Sequence, residues 1–122
     1  MMGATICLTS SNSTPLRSEP VIVEHALLPV ALADRAAFEA AFAQAEPLIA
    51  ASPGFLGLDL HPPADGGDAY LLLVRWASIA DHRDGFRQSE RYEGWRALLH
   101  CFYPERPAVR YFSTAPIARQ RL

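Results

Sequence analysis

Residues 70–76 read Tyr70-Leu71-Leu72-Leu73-Val74-Arg75-Trp76, a run bounded upstream by Pro62-Pro63-Ala64-Asp65-Gly66-Gly67-Asp68. Seven residues are too few for a core helix, and aromatic ends around a branched apolar centre suit a pleated surface, so the run is a strand. Alternation sends Leu72 and Val74 to one face and Leu71 and Leu73 to the other. A strand that is apolar on both sides expects cover on both sides.

Working upstream, the Pro- and Gly-rich stretch is a turn, and Phe55 to His61 alternates imperfectly as the preceding strand. Before it, Phe38, Phe42, Ala45 and Ile49 recur at spacings of four, three and four, which puts an apolar stripe on one helix. Asp34 stands where that helix needs an N-cap, Pro47 is placed to kink it, and Ser52-Pro53-Gly54 stops it. Val21 to Leu28, bounded by Pro20 and Pro29, is a first strand, again apolar on both faces.

Working downstream, Ser78-Ile79-Ala80-Asp81 reads as a capping box, opening a short helix with His82 and Phe86 on one face. Ser89 can cap a second piece whose stripe is Tyr92, Trp95, Leu98, Leu99 and Phe102. Tyr103 to Pro107 is a break and Ala108 to Ser113 a last strand. The order β-α-β-β-α-β predicts a ferredoxin-like α+β fold, one antiparallel sheet with its helices on one face. One helix layer leaves the second face of the sheet bare. Its simplest cover is the same face of another copy, so an isologous homodimer is expected. Residues 20–114 are assigned to this domain, residues 1–19 to an N-terminal tail in which Ala4 to Leu8 can form a short extra strand, and residues 115–122 to a C-terminal tail.

The whole chain has 122 residues, half of them hydrophobic and a fifth charged, which fits one domain with an ordinary core. Thirteen acids against eleven bases give a net charge of −2, so no basic excess exists to meet nucleic-acid phosphates. No apolar run approaches the roughly 20 residues of a membrane-spanning helix, and no membrane partner is expected. All the bases are arginine. Without lysine the chain has no Schiff-base chemistry and no P-loop. Cys7 and Cys101 match no zinc spacing and read as reduced thiols, and Met1 to Leu8 carries no basic residue of a secretion signal, so a cytoplasmic protein is expected.

Four histidines carry the remaining chemistry. His25, His61, His82 and His100 form no HxH, HxxxH or ExxH pair, so no metal site is expected. His25 interrupts an apolar strand, and alternation separates it from Glu24 and groups it with Val21, Val23 and Leu27. There it can act as a base or hydrogen-bond a ligand, or simply satisfy a backbone carbonyl. His82 lies in a first helical turn, where the positive helix end favours the neutral, proton-accepting ring; a plain solvated position is the alternative. His100 suits a helix C-terminus, and His61 a surface turn. Phe38, Phe86 and Trp95 can wall a slot for a flat ligand, although aromatics at helical spacing usually pack a core. Arg75 is read as half of an ion pair, with a ligand anion as its alternative.

The segments VIVEHALLPV (21–30), FEAAFAQAEPLIAASPGF (38–55), AYLLLVRWASIADHRDGFRQSERYEGWRALLHCFY (69–103) and PAVRYF (107–112) together resemble the antibiotic biosynthesis monooxygenase family of dimeric α+β barrels. The resemblance runs from Pro20 to Ser113. Its most specific parts are the Ser-Pro-Gly-Phe helix stop, the strand ending in Trp76, and DHRDGFRQSERYEGWR. It implies oxygenation of small aromatic or quinol-type substrates by O₂ with no cofactor, because the deprotonated substrate supplies its own electrons. Such a protein needs an apolar slot and a base that work away from water. On this chain the resemblance implies Phe38, Phe86, Trp95 and Leu99 as the slot and His25 or His82 as the base. A haem-degrading branch of these proteins uses Asn, Trp and His where this chain has His25, Phe86 and Arg96, which argues against that activity. A non-catalytic dimer that binds small aromatic molecules is the alternative from another class.

Overall fold

Pairing in the sheet follows from the two strands that are apolar on both faces, which take its centre. The computed structural model describes residues 21–120; the tail at residues 1–19, its candidate strand and Cys7 lie outside the described residues. β1 (Ile22–Pro29) leads through a 3-10 turn (Leu32–Asp34) into α1 (Arg35–Ala50). β2 (Phe55–His61) and β3 (Ala69–Trp76) follow, then a π-helical turn (Asp81–Phe86), α2 (Glu90–Leu99), a 3-10 turn (His100–Phe102) and β4 (Val109–Ser113). The antiparallel sheet has the order β2-β3-β1-β4, the ferredoxin-like arrangement.

Alternation decides what each strand contributes. Ile22, Ala26 and Leu28 of β1 and Tyr70, Leu72, Val74 and Trp76 of β3 are buried under the helices. They meet Phe38, Phe42, Ala45 and Ile49 of α1 and Trp95 and Leu99 of α2. Each large side chain so covered is worth about 1.5–3 kcal/mol relative to exposure. The opposite face carries Val23, His25, Leu27, Leu71, Leu73 and Phe112, with Leu27 and Phe112 about half exposed, at 52% and 48%. There Arg75 pairs with Asp59 at 3.1 Å. A β-bulge at Leu56 shifts the register, and Gly57 (φ +149°) makes room for the Arg75 guanidinium, which a Cβ would meet.

The helix ends differ in detail from the sequence reading. Asp34 occupies the N-cap position, but its side chain makes no cap hydrogen bond, because the 3-10 turn before it already leads the chain into the helix. Pro47 sits inside α1, which runs on to Ala50 before stopping. The Ser78 hydroxyl accepts the Asp81 N–H at 3.2 Å as a capping box requires, while the Asp81 carboxylate returns to that hydroxyl at 3.0 Å and not to a backbone N–H. The expected short α-helix is a wider turn in which the Arg87 N–H donates to the His82 carbonyl at 3.0 Å, five residues back. Ser89 caps α2 through the Tyr92 N–H, as expected.

Candidate active site

Glu24 faces the helices from the middle of the sheet. Its cross-strand neighbours are Val74 on β3 and Tyr111 on β4, so it shares the covered face with Ile22 and Ala26 and is only 5% exposed. A buried carboxyl group must be hydrogen-bonded or neutral. Its Oε1 accepts the Trp76 indole N–H at 2.9 Å and lies 3.4 Å from His82 Nε2. His82 Nδ1 is in turn 2.6 Å from the Tyr111 hydroxyl. The result is a chain, Trp76–Glu24–His82–Tyr111, running across the sheet beneath the helices.

Burial governs its protonation. Loss of water raises the Glu24 carboxyl to about 7, against the opposing pull of the Trp76 hydrogen bond and the Arg87 charge. The same burial, helped by Arg87, lowers His82 to about 4. Near neutral pH the imidazole is therefore uncharged and the carboxyl group is balanced between its two forms. When Glu24 is ionised, a neutral ring with its proton on Nε2 faces the carboxylate across 3.4 Å and leaves Nδ1 to accept from the Tyr111 hydroxyl. When it is protonated, the neutral ring can take the other tautomer. A carboxyl that titrates at the working pH is suited to accept and return a proton.

The turn that carries His82 is held from both sides. Gly54 (φ +85°) stands so close to Asp81 that an added Cβ would fall 2.3 Å from its carboxyl carbon, and the Gly54 carbonyl accepts the Ala77 N–H at 2.8 Å. The His82 ring lies tilted over Trp76 at 5.3 Å and stacked with Phe86 at 6.4 Å between centroids. Phe86 also meets Trp95 edge-on at 5.7 Å. His82, Phe86 and Trp95 border a cavity of about 330 Å³ between sheet and helices, whose lining also includes Glu24, Arg87 and Arg106.

Of the residues singled out in the sequence, His82, His100, Phe86 and Trp95 come together at this cavity. His25 is on the open face of the sheet, edge-on to Phe112 at 5.7 Å. Phe38 is buried behind the cavity, packed on Tyr70 at 4.8 Å and Phe102 at 5.6 Å, and Leu99 is enclosed in the core. Neither borders the cavity. Glu24 was passed over, yet a signal existed: it is an acid on the strand face whose other members are Ile22, Ala26 and Leu28. Among the described residues, no three His, Cys, Asp or Glu side chains are grouped to hold a metal ion, and no helix is long and apolar enough to cross a membrane.

Comparison with known proteins agrees with this architecture. Residues 21–98 match the family described as antibiotic biosynthesis monooxygenase. The uncharacterized protein YczJ of Bacillus subtilis is 44% identical over 75 residues, covering 62% of this chain and 79% of YczJ. A crystal structure from Bordetella bronchiseptica, named as a candidate antibiotic biosynthesis monooxygenase, superposes with a TM-score of 0.76 at 33% identity, over 80% of this chain and all (100%) of that one. SnoaB of Streptomyces nogalater, described as a cofactor-independent oxygenase, shares the fold at 20% identity and a TM-score of 0.64, over 85% of this chain and 97% of its own. The chain is a member of the antibiotic biosynthesis monooxygenase family.

Proposed function

We propose that this protein is a cofactor-independent monooxygenase that oxidises a small aromatic or quinol-type substrate with O₂, as a cytoplasmic homodimer joined through the open face of the sheet. The observation that carries the reading is a carboxyl group balanced near neutrality beside an aromatic-walled cavity. Glu24 is the base, His82 orients it and relays its proton, and Phe86 and Trp95 hold the ring. The description of SnoaB as a cofactor-independent oxygenase supports the same chemistry on this fold.

For a substrate with an acidic CH₂ between two rings, Glu24 takes one proton and leaves a delocalised carbanion. That anion passes one electron to O₂, and the radical pair combines to form a C–O bond. The proton returns from Glu24 to the outer oxygen, giving a hydroperoxide. Loss of the second C–H proton and cleavage of the O–O bond then leave a carbonyl and one water. One oxygen atom enters the product, the other leaves as water, and the substrate supplies every electron.

The test is O₂ uptake by metal-stripped protein with a panel of quinols and anthrones. Uptake above the spontaneous rate should fall ~10²-fold or more in Glu24→Gln, fall less in His82→Gln, and persist in His25→Ala. Saturable quenching of Trp95 fluorescence with no uptake from any panel member would make the protein a binder and not an oxygenase.

A further inference from the structure

Besides Glu24 and His82, the ionisable lining of the cavity includes Arg87, His100 and Arg106. Two nearby arginines are spoken for: Arg83 pairs with Asp84 at 3.2 Å and Arg96 with Glu93 at 2.8 Å. Arg87 and Arg106 form no ion pair among the described residues. Arg87 is half-buried, with its guanidinium 5.8 Å from the centre of the Tyr92 ring, a contact that leaves its N–H edge without a carboxylate. Besides burial, the charges of Arg96, Arg106 and Arg87 all bear on His100, and that of Arg87 also on Glu24 and His82; of these three arginines, Arg87 and Arg106 line the cavity. Glu24 is the single acid in the lining among the described residues. Once it is protonated, the cavity holds two fixed positive charges and no negative one.

The rest of the lining combines the apolar side chains of Phe86, Trp95, Ile49 and Leu72 with the tyrosines Tyr92 and Tyr103. A volume of about 330 Å³ lies at the lower end of the roughly 300–1,000 Å³ typical of small-molecule clefts, which favours one or two fused rings over four. Guanidinium groups meet carboxylates with paired N–H bonds, the strongest polar contacts open to such a ligand.

We propose that the cavity takes an aromatic acid of one or two rings, its carboxylate held by Arg87 and Arg106 and its ring laid against Phe86 and Trp95. The inference deepens the oxygenase reading and rests on it for turnover alone; recognition of the acid is measurable without chemistry.

The probes are 2-naphthoate and its neutral isostere 2-naphthamide, titrated calorimetrically against the full chain. The acid should bind about tenfold or more tightly, the value of a charge-assisted hydrogen bond. Raising the salt concentration should narrow that gap, because both guanidinium groups are partly open to solvent. Arg87→Gln/Arg106→Gln should reduce the gap to less than about threefold, whereas Arg96→Gln should leave it intact. Arg106→Gln alone, at an exposed position, repeats the test should the double variant fold poorly. Equal binding of the two probes, no binding of either, or a gap unchanged in the arginine variants overturns the proposal. The two readings fail separately. A preference for the acid without O₂ uptake from any quinol keeps the anion site and removes the oxygenase, while turnover of neutral quinols with no preference does the reverse.

Discussion

Glu24 and His25 are joined by one peptide bond, yet the sheet places them in different media. Glu24 is enclosed beneath the helices, and loss of water there raises its carboxyl from 4.5 to about 7. His25 lies on the open face among half-exposed Val23, Leu73 and Phe112, where the ion pair Arg75–Asp59 is 43% and 53% exposed. The strand supplies both residues on equal terms. What separates them is the helix layer: on the covered face a polar group must join a network, while on the other it can meet solvent or a second sheet. The covered face thus holds the ionisable network, and the bare one is the face through which the proposed dimer would join.

The sharpest way to break this contrast is to exchange its two members in the oxygen assay. The ~10²-fold loss belongs to Glu24→Gln, and its appearance in His25→Ala instead would move the chemistry to the open face. A second test reads the burial of Glu24 directly. Its folded value lies above its unfolded value, so the stability it contributes is complete below pH 4.5 and is lost as pH rises to about 7. His82 runs the other way: its folded value is depressed, so its contribution is complete above pH 6.5 and is lost as pH falls to about 4. Between pH 4.5 and 6.5 the two slopes oppose each other, which leaves the wild type nearly flat. Glu24→Gln removes one of them. Urea melts should show the variant gaining on the wild type by on the order of 2–3 kcal/mol between pH 4.5 and 8. A pH-independent difference would mean that Glu24 is hydrated.

The bare face is probed by Leu73→Asp. In a dimer joined there, the charge lies in the interface, and light scattering should report half the wild-type mass with the circular dichroism of the fold retained. A wild type that is already monomeric at micromolar concentration removes the dimer. The smallest effect is expected at Asp59→Ala, which breaks the exposed pair with Arg75 and should cost less than about 1 kcal/mol. A larger loss would show that the pair is enclosed in solution.

Much of this was legible in the sequence, and what was missed has physical causes. The β-α-β-β-α-β order gave the ferredoxin-like sheet, and alternation correctly parted Glu24 from His25. That His25 lies on the face away from the helices, and Glu24 beneath them, was not legible, because strand periodicity separates faces without saying which one the helices cover. Topology holds that answer: Ile22, Ala26 and Leu28 oppose the stripes of α1 and α2, and the acid among them is the anomaly. Phe38 and Leu99 have the helical spacing of core and cavity residues alike, and only packing tells them apart. The spacing of His82 and Phe86 fits an α-helix as well as a wider turn. Arg106 falls in the aperiodic stretch between α2 and β4, where pattern is silent.

The wide turn at Asp81–Phe86 also bears on how relatives of this chain can diverge. A π-turn holds one residue more than an α-turn of the same span, so it can be gained or lost by a single codon without rebuilding the helix around it. Here the Arg87 N–H donates to the carbonyl of His82, five residues back. The imidazole and the guanidinium are thus geared to one backbone bond. Deleting a residue from the turn would re-aim both groups together, altering proton transfer and ligand choice in one mutational step.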